Sequence, residues 1–126
     1  MGEIKKIGYV GIGKMGYPMA GHLVKAGFEI TVADSNPKVV EKFVAEHDAA
    51  SADTLGELAE ASDVVFTMLP TSKDVRDVVL GKTSGNDCLA DGLKTGAILI
   101  DTSTSNPVDT RDLGIELEKH RVAMLD

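Results

Sequence analysis

The sequence predicts an α/β fold: a doubly wound, mainly parallel sheet with helices on both faces, three layers in all. Two textures that alternate along the 126 residues predict it. Short, nearly continuous apolar runs rich in β-branched residues lie at 7–12, 29–33, 63–69, 97–101 and 122–125. Strands of a parallel sheet are buried on both faces, so they read as unbroken apolar stretches rather than alternating ones. Between the runs stand segments of about 10 to 15 residues with helical spacing, as βαβ units require. With 43% apolar residues the chain can bury one ordinary core, and one domain over 1–126 is expected.

The helical segments follow in order. Over 15–26, Met15, Met19 and Leu23 recur at four-residue steps with Ala20 and Val24 beside them, which predicts one apolar face. Pro18 fixes where this helix begins, because a proline is harmless only in the first turn, where N–H groups have no intrahelical partner. The helix therefore starts immediately after Gly13, and Gly27 is placed to end it. Pro37, with Asn36 as cap, opens a second helix through about Glu46. Residues 54–61 read as a short third helix and 72–80 as a fourth. The polar stretch 81–86 reads as loop, and 87–93 is ambiguous. Asn106 and Pro107 repeat the cap-then-proline pattern, starting a helix whose Leu113 and Leu117 face the sheet.

Composition excludes several functions. The net charge of −7 disfavours nucleic acid, whose phosphates need clustered cations. Cys88 has no partner for an intramolecular disulfide, and it forms no metal-spaced cluster with His22, His47 or His120. It reads as a structural or surface thiol. No apolar run approaches the roughly 20 residues that span a bilayer, and residues 1–6 lack a signal peptide's apolar stretch. A soluble, cytoplasmic protein is the expectation.

Any phosphate bound here must be held by backbone amides, and one motif supplies them. Gly11, Ile12, Gly13, Lys14, Met15 and Gly16 form GxGxxG, a weak signal alone. Here it follows an apolar strand and opens a helix pinned by Pro18. A second strand then ends in Asp34, eighteen residues after Gly16. That is the dinucleotide-binding arrangement of a Rossmann sheet. Gly11 permits a tight turn, Gly13 leaves the backbone open to a pyrophosphate, and Gly16 lets helix and strand pack closely. The free amides and positive end of the helix dipole then face the phosphates. Asp34 is placed to accept hydrogen bonds from the adenosine ribose and to repel a 2′-phosphate, and Ser35 beside it adds no cation. NAD is therefore favoured over NADP, with Lys38 and Lys42 keeping NADP open. Alternatively, Asp34 caps the Pro37 helix or is solvated. Lys14 is either a neighbour of the pyrophosphate or a solvated lysine, and His120 reads as exposed.

The run 8–23, GYVGIGKMGYPMAGHL, resembles the opening motif of the β-hydroxyacid dehydrogenases, the family of 3-hydroxyisobutyrate dehydrogenase and 6-phosphogluconate dehydrogenase. Met68-Leu69-Pro70-Thr71-Ser72 and the segment from Asp101 to Pro107 agree with it in order and spacing, so the resemblance spans essentially the whole chain. It implies that the glycine loop holds the pyrophosphate and Asp34 the ribose. It implies further that Leu69 and Pro70 lie along the cofactor, and that Ser103 and Thr104 border the nicotinamide and the substrate. Without the resemblance, Ser103 and Thr104 read as a loop capping the Pro107 helix. The resemblance also places Asp74 near the nicotinamide-side ribose, where the family often has Asn, so this position departs from the family pattern.

The resemblance also implies what these residues lack. Asp126 resembles the start of a substrate-binding segment, and the family's catalytic lysine lies beyond it on an all-helical domain through which members associate. No residue in the chain is a convincing general acid or base. The expectation is the NAD-binding part of an enzyme that moves a hydride between a small β-hydroxyacid and nicotinamide, inactive alone and oligomeric when whole. The alternatives are a non-catalytic dinucleotide-binding module, and a relative of 6-phosphogluconate dehydrogenase or imine reductase.

Overall fold

The computed structural model describes residues 5–81, 87–102, 107–119 and 122–125. Six strands form one sheet: β1 (Lys6–Val10), β2 (Glu29–Ala33), β3 (Ala50–Ser51), β4 (Val64–Thr67), β5 (Ile98–Asp101) and β6 (Ala123–Leu125). Their order is 3-2-1-4-5-6, and every pairing is parallel. Five strands occupy the five apolar runs. The sixth, β3, carries no such signal because it is two residues long and exposed at the sheet edge. The chain steps outward from β1 to β3, then returns to β4 on the other side of β1. Its direction of winding therefore reverses between β1 and β4, the place where ligands of doubly wound sheets bind.

The five helices are α1 (Gly16–Lys25), α2 (Pro37–Glu46), α3 (Leu55–Glu60), α4 (Ser72–Leu80) and α5 (Pro107–Glu118). They divide between the two faces, giving the expected three layers. On one face Ile7, Tyr9, Ile30 and Val32 of the sheet bury Ala20 of α1 and Phe43 of α2. On the other, Val10, Val65 and Leu99 pack against Leu58, Val75, Val79, Leu113 and Leu117 from α3, α4 and α5. Leu113 and Leu117 of α5 thus face the core as their spacing predicts. The ambiguous stretch 87–93 contains a short 3-10 turn at Leu89–Asp91, with Leu89 buried.

Local chemistry sets the helix ends. At α2, Asn36 Oδ1 accepts the Lys38 N–H at 3.1 Å, and Pro37 opens the first turn. Thr54 caps α3 and Thr71 caps α4, each accepting an N–H three residues on at 3.1 Å. Helix α1 closes on Gly27 at φ 100°, with the Phe28 N–H reaching Leu23 and the Gly27 N–H reaching Val24. Only glycine takes that left-handed position without strain.

One expected face is corrected. The buried line of α1 runs through Gly16 and Ala20, with Leu23 and Val24 half-buried, while Met15 is 68% and Met19 37% exposed. Small residues let the helix approach the sheet closely, which pushes the long methionines to the flank.

Candidate functional site

The site is built from three chain reversals at the carboxyl ends of β1, β2 and β4. Leaving β1, the Gly11 N–H donates to the Ala33 carbonyl of β2 at 3.0 Å, and the Met68 N–H donates to the Val10 carbonyl at 2.9 Å. The loop is thereby sewn to both neighbouring strands. Gly11 sits at φ 94°, and a Cβ there would lie 2.2 Å from the Met68 carbonyl oxygen. A Cβ on Gly16 would lie 2.0 Å from the Gly11 carbonyl oxygen. Both positions are closed to any side chain. Gly13 differs: it is exposed, and a Cβ there would meet nothing within 4 Å. That open space beside the backbone is what a diphosphate in contact with amides requires.

The helical ladder of α1 starts where the Tyr17 N–H reaches the Gly13 carbonyl at 2.9 Å. The N–H groups of Gly13, Lys14 and Met15 come before it and stand outside the ladder, at the positive end of the helix dipole. Lys14 and Met15 are exposed. Ile12 is buried, and its N–H donates to Asp34 Oδ2 at 2.8 Å. Asp34 Oδ1 accepts the Asn36 N–H at 2.9 Å. The Asp34 carboxylate therefore faces the glycine loop and also turns the chain into α2.

A crevice of about 830 Å³ opens over these reversals. Of the candidate residues, it brings together Gly11, Gly13, Asp34, Ser35, Leu69 and Pro70. Ile12, Lys14, Met15, Gly16 and Asp74 are not among its lining residues. Asp74 lies in the first turn of α4, where its N–H is held by Thr71. Ser103 and Thr104 lie outside the described residues, as do Asn106 and His120.

The crevice also takes residues the sequence does not single out. Asp53 and Thr54 line it after β3, and so does Asp87, whose carboxylate accepts the N–H groups of Leu55 and Gly56 at the start of α3. Nothing in the spacing of Asp87 signals this, because the contact joins residues 31 and more apart in sequence. Behind the site, Thr67 Oγ1 donates to Asp101 Oδ1 at 3.0 Å, with both residues buried. Thr102 ties β5 to β4 through its N–H and its hydroxyl, each 2.8 Å from the Thr67 carbonyl oxygen.

Elsewhere, burial raises the pKa of the Tyr9 phenol above its ordinary value, and a hydrogen bond with Thr102 opposes the shift. Burial likewise pushes the Cys88 thiol up, so this free cysteine is a protonated core residue at neutral pH. Among the described residues no group of His, Cys, Asp or Glu is arranged to hold a metal ion, and no helix is long and apolar enough to cross a membrane.

A parallel sheet ordered 3-2-1-4-5-6, with a glycine loop, a helix N-terminus and a β2 carboxylate around a crevice at its reversal point, defines a dinucleotide-binding domain. The chain belongs to the family described as the NAD binding domain of 6-phosphogluconate dehydrogenase, whose model matches residues 6–126. It is 35% identical over 120 residues to the mitochondrial 3-hydroxyisobutyrate dehydrogenase of Mus musculus, covering 95% of this chain and 34% of that protein. Among solved structures it is similar to 3-hydroxyisobutyrate dehydrogenase of Mycobacterium tuberculosis with L-serine. That match has a TM-score of 0.83 and 29% identity, over 97% of this chain and 39% of the other. An imine reductase from Myxococcus stipitatus in complex with NADP+ shares the fold, with a TM-score of 0.79 at 20% identity over 94% and 39% of the two chains. The chain spans between 29% and 40% of the length of the first curated relatives it matches.

Proposed function

We propose that this chain is the cofactor domain of an NAD-dependent oxidoreductase acting on a small β-hydroxyacid. The observation that carries the cofactor choice is the charge of the crevice. Asp34, Glu41, Asp53 and Asp87 line it, and no Lys or Arg does among the described residues. The diphosphate of NAD is served locally by the amides ahead of α1. A further phosphate on the adenosine ribose would meet carboxylates with no Lys or Arg among the described lining residues to pair it. Of the two lysines that keep NADP open, neither Lys38 nor Lys42 lines the crevice, and Lys42 lies over the Tyr17 ring at 5.4 Å and 3.7 Å from Glu46.

In this reading the amides around Gly13 bind the diphosphate and Asp34 accepts from the ribose hydroxyls. Leu69 and Pro70 flank the cofactor where β4 ends, and Ser103 and Thr104 border the nicotinamide. The nicotinamide, when bound, supplies the hydride acceptor, while protein groups position the carbinol carbon against it. The hydroxyl proton goes to the lysine that the resemblance places on a following helical domain, and the whole protein associates through that domain.

Calorimetry of the chain with NADH and NADPH tests the cofactor assignment. NADH is expected to bind about tenfold tighter or more, and Asp34→Ala to weaken NADH binding by about tenfold. Equal affinity for both cofactors would overturn the choice of NAD, and no heat with either would overturn the cofactor-domain reading. Substrate class is tested on the whole protein by NADH formation over a panel of β-hydroxyacids.

A further inference from the structure

Asp34 is already engaged before any ligand arrives. Its two oxygens accept from the Ile12 N–H inside the glycine loop at 2.8 Å and from the Asn36 N–H at the cap of α2 at 2.9 Å. One side chain thus joins the loop after β1, the tip of β2 and the start of α2. The backbone joins the first two of these nearby, where the Gly11 N–H meets the Ala33 carbonyl.

We propose that Asp34 is a positioning residue for the diphosphate as well as an acceptor for the ribose: its carboxylate braces the glycine loop in the conformation that aims its amides at the phosphates. Only the ribose half rests on the NAD reading above. The two roles are compatible because a carboxylate has about four acceptor positions, and two amides leave the others for a diol. A charge-assisted bond from the buried Ile12 adds a directional tie immediately before Gly13, Lys14 and Met15, which are exposed. A loop ordered beforehand does not have to be ordered by the ligand, and that saved cost appears as affinity. It follows that cofactor choice and phosphate grip are linked at this residue. Removing the carboxylate to admit a 2′-phosphate also loosens the loop that holds the diphosphate.

Two probes separate the roles: ADP, and 2′,3′-dideoxy-ADP, which keeps the diphosphate and adenine but lacks the diol. Affinities are measured by calorimetry on the 126-residue chain and its variants, with amide exchange of Ile12 followed by NMR in the absence of ligand. Asp34→Ala is expected to bind the dideoxy probe about tenfold more weakly, although losing a negative charge should by itself favour an anion. Ile12 exchange should accelerate about tenfold or more in the same variant. Asp34→Asn is as neutral as Ala but keeps an acceptor oxygen, so it separates the hydrogen bond from the charge. It should bind the dideoxy probe more tightly than Asp34→Ala does. Unchanged Ile12 exchange, or dideoxy-ADP bound as tightly by Asp34→Ala as by the parent chain, would overturn the brace. Equal affinity of the parent chain for ADP and its dideoxy analogue would overturn the ribose reading instead, leaving the brace to stand or fall on Ile12 exchange.

Discussion

Gly11 and Gly13 stand two residues apart and respond in opposite ways to an added methyl group. At Gly11 the backbone is left-handed and a Cβ would collide with the Met68 carbonyl. Gly11→Ala should therefore cost about 1 to 3 kcal/mol of stability as well as cofactor binding. At Gly13 the space is open, so Gly13→Val should leave the denaturation midpoint nearly unchanged while weakening NADH binding by tenfold or more, about 1.4 kcal/mol. Denaturant titration beside calorimetry checks both. Equal losses of stability in the two variants would contradict the division of labour. The motif itself was legible in the sequence, because its glycines follow a strand and precede a proline-pinned helix. The direction of the Asp34 side chain was not, since its partner Ile12 is 22 residues away.

At the scale of elements, the carboxyl ends of β4 and β5 are held together by side chains that belong to no motif. The Thr67 hydroxyl and Asp101 carboxylate meet inside the core, and Thr102 bonds back to Thr67. Thr67→Val keeps the shape and removes the donor, and it should lower stability by about 1 to 3 kcal/mol in urea or guanidinium unfolding. A shift under about 0.5 kcal/mol would mean the pair carries little. Strands and helices were readable where local signals are strong: continuous apolar runs for five strands, and Asn36 with Pro37 for α2. β3 was not, because a two-residue edge strand buries nothing and is defined only by its pairing to β2. The buried face of α1 is narrower than its methionine spacing predicts, because that spacing is helical whether or not a side chain is buried: Met15 stays exposed, and Met19, also partly exposed, meets the core at the Tyr9 hydroxyl.

For the whole molecule, two separate apolar clusters lie on opposite faces of one sheet, and Tyr9 sits fully buried in one of them, stacked on Phe66. Burial raises its pKa, and that of Tyr17 is also raised, with the Glu46 carboxylate contributing. The folded state thus holds these phenols neutral more strongly than the unfolded chain does. The stabilisation is complete below the ordinary phenol pKa of about 10 and is lost as pH rises through the raised folded value. Melting temperature should fall above about pH 10, and less steeply in Tyr9→Phe, which has no phenol to ionise. Identical alkaline profiles would show that Tyr9 contributes nothing to the effect.

The sequence by itself determined the class of fold, five of the six strands, the helix starts and the glycine loop, because each is written in contiguous residues through periodicity, capping and the special freedom of glycine. Only the tertiary structure decided that four carboxylates share one crevice, that Asp34, which the sequence assigns to the ribose, also accepts an N–H of the glycine loop, and that Asp87 seats the start of α3. Those facts depend on which strand lies next to which. The parallel order that sets this brings together residues too far apart in the chain for any local pattern to relate them.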